Sequence, residues 1–137
     1  MKIDVDLQGI KFLTPGAIDV LAERRRQRTD PQTGGEGYSD AHDDDHIGGD
    51  LAAAAACYAA PKPLLLRTEG LDAVSFADPW PWDDGFDKRP RDRNHKLLSA
   101  RQMKPALRRD LLVKAAALLI AEIDRLDRAA ARGRARG

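Results

Sequence analysis

The sequence predicts a mainly α-helical single domain with about three main helices, the last of them central and apolar. Three observations carry that prediction. From Pro105 to Arg128, Leu107, Leu111, Ala115, Leu118, Ile123 and Leu126 recur at three- to five-residue steps, close to one face of an α-helix. Thr14-Pro15 reads as a capped helix entry, with Ile18, Leu21 and Ala22 following at helical spacing as its apolar face. In the middle, DLAAAAACYAA runs from Asp50 to Ala60 and is closed by Pro61. A chain of 137 residues suits one small domain with a real core.

Taken in order, residues 1–13 alternate at first, Ile3, Val5 and Leu7 against Lys2, Asp4 and Asp6. That period predicts an edge strand, a hairpin or an extended arm. The first helix spans residues 15–28 and carries Arg24, Arg25, Arg26 and Arg28 toward its C-terminus, where cations suit the helix dipole. Pro and Gly make residues 30–39 a loop, and the acidic run DAHDDDHIGG extends it to Gly49. The second helix spans 50–60, with Leu51 and Tyr58 able to face the core. Residues 62–90 read as an irregular lobe, in which 64–66 or 74–76 are the candidate short strands. Residues 92–104 are polar, with a helical turn from Ser99. Pro105 opens the organising helix, which between Leu111 and Ala121 is apolar on nearly every face, broken only by Lys114. Such a helix is covered on most sides by its own chain or by a partner, so a homo-oligomer is expected. The basic tail 129–137 is expected to fray.

A formal net charge of +1 gives no bulk argument for nucleic acid or for a membrane surface, and neither is expected as a partner. No signal peptide or long apolar run is visible, so a cytoplasmic protein is expected. Cys57, the one cysteine, sits among alanines and reads as a buried, inert thiol. Several enzyme classes lack their motifs. There is no GxSxG, and GGEG lacks the Lys-Ser/Thr ending of a P-loop. An HD-type phosphohydrolase would need a histidine upstream of His42, and a MazG-type pyrophosphohydrolase would need ExxE and ExxD helices; neither is present.

Four constellations remain as candidate chemistry. In His42-Asp43-Asp44-Asp45-His46 the histidines are four apart, with Asp50 one turn on. Imidazole and carboxylate together can hold a divalent metal, with His42, Asp44 and His46 as candidate ligands. The same aspartates also serve as helix caps. Arg24 and Arg26 match phosphate geometry, or lie on a solvated helix face. Trp82, in Trp80-Pro81-Trp82, and Tyr38 can stack on a base, or Trp82 can cap the core. Lys114 either snorkels out of the apolar helix or is buried and paired.

Six segments, AERxRQ, a glycine-aromatic pair, HDDxH, GELAxAAxxYA, WPW and LVKAxALIxAEIxRLDR, together make the chain resemble a family of small uncharacterised phage and prophage proteins. The pattern is AERxRQ at Ala22 to Gln27, a glycine-aromatic pair at Gly37-Tyr38, and HDDxH at His42 to His46. GELAxAAxxYA follows at Gly49 to Ala60 with Asp50 replacing glutamate, then WPW at Trp80 to Trp82, and LVKAxALIxAEIxRLDR at Leu112 to Arg128. The first thirteen residues and a longer stretch before Pro105 depart from that pattern. The resemblance implies a phage-borne protein of the host cell cytoplasm and transfers no activity.

From the residues, the favoured expectation is a binding protein for a small phosphorylated or nucleotide-like ligand, with a sponge that sequesters a host signalling nucleotide as its specific form. Arg24 and Arg26 would hold phosphate, with Lys114 a further candidate contact. His42, Asp43, Asp44, His46 and Asp50 would bond sugar or base edges, and Trp82 or Tyr38 would stack. The rivals are a metal-dependent nucleotide hydrolase built on the acidic loop and a non-enzymatic adaptor.

Overall fold

The computed structural model describes residues 13–29, 31–33 and 35–136, and the strand or arm expected at residues 1–13 lies almost wholly outside them. It is mainly helical: α1 (Pro15–Arg28), α2 (Asp40–Asp44), α3 (Asp50–Ala59) and α4 (Pro105–Arg136), with an antiparallel hairpin of β1 (Leu66–Glu69) and β2 (Val74–Ala77).

Local chemistry fixes the helix starts. Thr14 Oγ1 accepts from the Ala17 amide (3.2 Å) and Pro15 occupies the first turn of α1. Ser39 Oγ accepts from the His42 amide (3.1 Å) and opens α2, the five-residue helix that replaces part of the expected acidic loop. The core lies between α3 and α4, where Leu51, Ala54, Ala55 and Tyr58 pack on Leu111, Ala115, Leu118 and Ala121. The alanines let the two axes approach closely. Arg108, early in α4, donates to the carbonyls of Tyr58 (3.2 Å), Ala59 and Ala60 (3.4 Å), so a cation satisfies the C-terminal carbonyls of an antiparallel α3. α1 runs parallel to α4, tied by Asp19–Arg109 (2.8 Å), Glu23–Lys114 (3.6 Å) and Arg24–Asp124 (3.7 Å).

The structure corrects several expectations. α1 leaves Ile18 and Leu21 exposed and buries Arg24 and Gln27. Its contact with α4 is made by ion pairs, so the polar side turns inward. Ile123 and Leu126 are exposed, while Glu122 and Arg125 are buried as an i,i+3 pair. The tail does not fray at 129: α4 continues to Arg136. Alanine-rich sequence favours the helix there, and Arg128 and Arg132 tie it to Asp44 at 2.9 and 3.1 Å. The lobe 61–104 contains the hairpin, both of whose strands are solvent-exposed. It also contains a clamp: Arg89, buried, binds Asp78 at 2.8 Å and Asp87 at 2.8 Å, and stacks 5.2 Å over Trp80.

Several carboxyls are held below their ordinary values. For Glu23 and Asp87 burial works the other way, but the hydrogen bonds of Arg26 and the charge of Lys114 at Glu23, and those of Arg89 at Asp87, outweigh it. For Asp44 the Arg128 hydrogen bond is the main cause. A depressed folded pKa means that the unfolded chain binds more protons. The stabilisation is present above the ordinary values of 4.5 and 3.8 and is lost as pH falls through the lower folded ones. Urea unfolding at pH 7 and pH 3 is therefore expected to give a clearly lower midpoint at pH 3, and Asp87→Asn is expected to narrow the difference.

Candidate functional site

The loop between α1 and α2 is pinned to the end of α1. The amides of Glu36, Gly37 and Tyr38 donate to the carbonyls of Arg26 (3.1 Å), Thr29 (2.8 Å) and Gln27 (2.6 Å). Two glycines make this path possible. A Cβ at Gly35 would lie 2.1 Å from the Thr29 carbonyl oxygen, and Gly37 has φ +74°. The loop delivers Tyr38 onto the His42 ring of α2, stacked at 4.7 Å and 8°. His42 meets His46 at 4.8 Å, and His46 meets Trp82 at 5.2 Å. Trp82 continues edge-on to Trp80 at 5.6 Å, and Trp80 to Tyr58 at 5.3 Å. Six rings thus run from the pinned loop to the core.

The front of this row bounds a pocket of about 300 Å³, lined by Tyr38, His42, His46, Pro81, Trp82, Asp83 and Phe86. Its volume is at the lower end for small-molecule sites. Both imidazoles are oriented by carboxylates: His42 Nδ1 lies 3.4 Å from Asp43 Oδ1 and His46 Nδ1 lies 3.3 Å from Asp50 Oδ2. A carboxylate only accepts, so each Nδ1 carries the hydrogen and each Nε2 presents a lone pair in the neutral ring.

Behind Tyr38, Trp82 and Phe86, which line both, lies a second chamber of about 30 Å³. Its polar lining includes Glu23, Arg26, Gln27, Glu36, Lys88 and Lys114. Arg26 is committed, forked onto Glu23 and bonded to Glu36 at 3.0 Å. The Tyr58 hydroxyl donates to the Phe86 carbonyl (3.3 Å) and accepts from the Lys88 amide (3.1 Å), and burial pushes its pKa up to about 12. The exposed Lys88 side chain makes no ion pair among the described residues.

The structure distributes the sequence candidates unevenly. Tyr38, His42, His46 and Trp82 come together, with Asp50 behind His46. Asp43 is 0% exposed and paired with buried Arg24 at 3.3 Å. Asp44 leaves α2 on the side away from His42 and is held by Arg128 and Arg132. The basic end of α1 and the acidic segment therefore meet as ion pairs, Arg24–Asp43 and Arg28–Asp40 (2.9 Å), and Arg24 is not open to a phosphate. Lys114 is partly buried and paired with Glu23 at 3.6 Å. The metal set His42, Asp44 and His46 does not converge, and among the described residues no cluster of three His, Cys, Asp or Glu side chains is placed to hold a metal. Burial raises the Cys57 thiol, which keeps it protonated. Sequence reasoning missed Phe86, Gln27 and Lys88. Only Gln27 left a trace, its i,i+3 spacing from Arg24.

No family model, curated protein or solved structure matches this chain. Among the described residues no helix is long and apolar enough to cross a membrane.

Proposed function

We propose that this protein binds a small nucleotide-like ligand, stacking its base in the pocket of Tyr38, His42, His46, Trp82 and Phe86. The observation that carries this reading is the pocket's make-up: five aromatic or imidazole side chains around about 300 Å³. Aromatic faces stack on any base, and two carboxylate-oriented imidazoles accept hydrogen bonds from ribose hydroxyls. The ligand's phosphate would meet Lys88, the exposed cation beside the site, since Arg24 and Arg26 are engaged by carboxylates. The likeness to phage proteins adds a setting, the host cell cytoplasm, in which such a protein would sequester a host nucleotide. The rival hydrolase reading has His42 and His46 to build on, but no convergent third ligand among the described residues.

A thermal-shift screen of linear and cyclic nucleotides tests the reading. At a hundredfold excess over Kd, a ligand adds about 2.7 kcal/mol to stability, which raises Tm by several degrees. Trp82→Ala is expected to abolish that rise. If no nucleotide stabilises the parent protein, the proposal falls.

A second reading concerns assembly. Leu112, Ala116, Leu119, Ile123 and Leu126 recur at steps of four and three along α4, and the four large ones are exposed. This is the spacing of a coiled-coil seam, and it supports association with a second copy of the chain through α4. Light scattering across a dilution series is expected to give a dimer mass for the parent and a monomer mass for Leu119→Glu. A parent that is monomeric throughout would remove this reading and leave ligand binding untouched.

A further inference from the structure

The aromatic pocket has a charge as well as a shape. Among the described residues that line it, Asp83 alone carries a formal charge, and no lysine or arginine stands in the wall. Asp83 is exposed and is held by its backbone: its carbonyl accepts from Trp80 Nε1 (3.3 Å) and from the Phe86 amide (3.0 Å). It precedes a short helical turn, Asp84–Phe86, yet its carboxylate makes no capping bond and no ion pair among the described residues. Asp50, behind His46, also has no lysine or arginine partner among them. One cation already rests on this row of rings: Arg89 lies 5.2 Å over Trp80, with Asp78 and Asp87 matching its charge. The pocket itself is therefore aromatic and negative, with its cation position open.

We infer that this pocket selects a positive charge, and that the base it stacks is a cationic heteroaromatic ring, a pyridinium or an N-alkylated purine. This rests on the nucleotide-binding reading above and narrows it. The faces of aromatic rings are negative, so Trp82, Tyr38 and Phe86 favour a cation, and more strongly where water is excluded. Phe86 is 49% exposed and meets no other ring among the described residues, so it is free to take one. Asp83 adds to the same preference without any demand on hydrogen-bond geometry, because attraction between opposite charges persists over several ångströms in a partly desolvated wall. The neutral imidazoles contribute lone pairs and no opposing charge. A cationic base gains from all of these, whereas a neutral base of the same shape gains from stacking alone. The ligand's phosphate would be repelled by Asp83 and belongs outside, toward Lys88, which does not line this pocket.

The test is titration calorimetry on the full chain at pH 8. Oxidised nicotinamide mononucleotide, a pyridinium, is compared with its reduced form, whose ring is nearly the same size and uncharged. A second pair, 1-methylnicotinamide and nicotinamide, sets a cationic ring against a neutral one without a phosphate. The oxidised nucleotide is expected to bind about tenfold or more tightly than the reduced one. Asp83→Asn keeps the shape of the wall and removes its charge. It is expected to cut that ratio to about threefold or less, with little change for the reduced form. Phe86→Leu keeps apolar bulk, removes a ring face and is expected to act in the same direction. Both side chains are exposed, so neither change strikes the core. A residue that merely shaped the pocket would weaken both members of a pair alike. Equal affinity of the two nucleotides in the parent, or an unchanged ratio in both variants, overturns this inference alone. A preference for 1-methylnicotinamide over nicotinamide with no binding of either nucleotide upholds the charge selection and counts against the nucleotide reading. If none of the four compounds binds, the inference falls, and the screen of linear and cyclic nucleotides decides the other reading by itself.

Discussion

Leu118→Ala and Leu111→Ala are each expected to destabilise the protein by about 2–5 kcal/mol. Leu111 is 2% exposed and Leu118 is 3% exposed. Both belong to the cluster in which α4 packs on Leu51, Ala54, Ala55 and Tyr58 of α3. Much of the facing surface is alanine, which cannot extend into a vacated volume, so each truncation leaves a cavity with little scope for collapse. The upper half of the range is therefore the better expectation. Leu119→Ala, one residue along and exposed, is the matched control. In a monomer it should change stability by less than about 0.5 kcal/mol. Urea unfolding at a fixed protein concentration checks all three. Losses below half a kcal/mol for both core leucines would show that α4 is not the centre of the fold.

The same helix shows how far the sequence could be read. Leu111, Ala115 and Leu118 carry a helical period with no competing signal, and the packing follows it. The period is silent about width. Leu112, Leu119, Ile123 and Leu126 are as apolar as the buried leucines, yet they face solvent, because α1 and α3 cover only part of the circumference. α1 misled for the opposite reason. Ile18 and Leu21 have the apolar spacing of a core face, but the inward side carries Arg24 and Gln27. The burial of Arg24 depends on Asp43, nineteen residues away in sequence, and helix periodicity cannot anticipate such a partner. The hairpin was half legible: the candidate strand 74–76 falls within β2, whereas 64–66 meets β1 only at Leu66, and because both strands are exposed no in-out alternation marked their pairing.

The site was legible wherever chemistry repeats at short range. His42 and His46 at i,i+4, the Trp80–Trp82 pair and the glycine-aromatic step at Tyr38 all fall in one row of rings. The roles within the acidic run were not legible. Asp43, Asp44 and Asp45 are equivalent in composition. Helical rotation sends Asp43 inward to Arg24 and Asp44 to Arg128, and leaves Asp45 exposed. Asp44, the carboxylate that the sequence groups with His42 and His46 as metal ligands, is therefore held by Arg128 and Arg132, and its two neighbours take different surroundings.

Asp43→Ala is the other substitution expected to have a large effect, about 3–5 kcal/mol. Asp43 is fully buried, and it joins two functions. Its Oδ2 pairs with Arg24 Nη2 at 3.3 Å, and its Oδ1 faces His42 Nδ1 at 3.4 Å. Removing the carboxylate leaves the guanidinium of Arg24 buried, with Nε and Nη1 already lacking partners and only the more distant Asp124 to offset its charge. The penalty is chiefly that of an uncompensated buried cation, and much less the loss of two modest contacts. That distinction can be measured. If the stranded charge dominates, Arg24→Met in the Asp43→Ala background should recover much of the loss, since a buried pair replaced by apolar groups is often close to neutral. A double-mutant cycle by urea unfolding should then show strong coupling between the two positions. The ligand readout separates the second function. In the stability-rescued double variant, His42 still lacks the acceptor that fixes its tautomer, so under the proposed function any stabilisation by nucleotide should remain reduced even though the fold is restored. Full recovery of both stability and ligand response would confine Asp43 to neutralising Arg24. Additive losses in the cycle would show instead that the Arg24–Asp43 pair is not what holds α2 against α1.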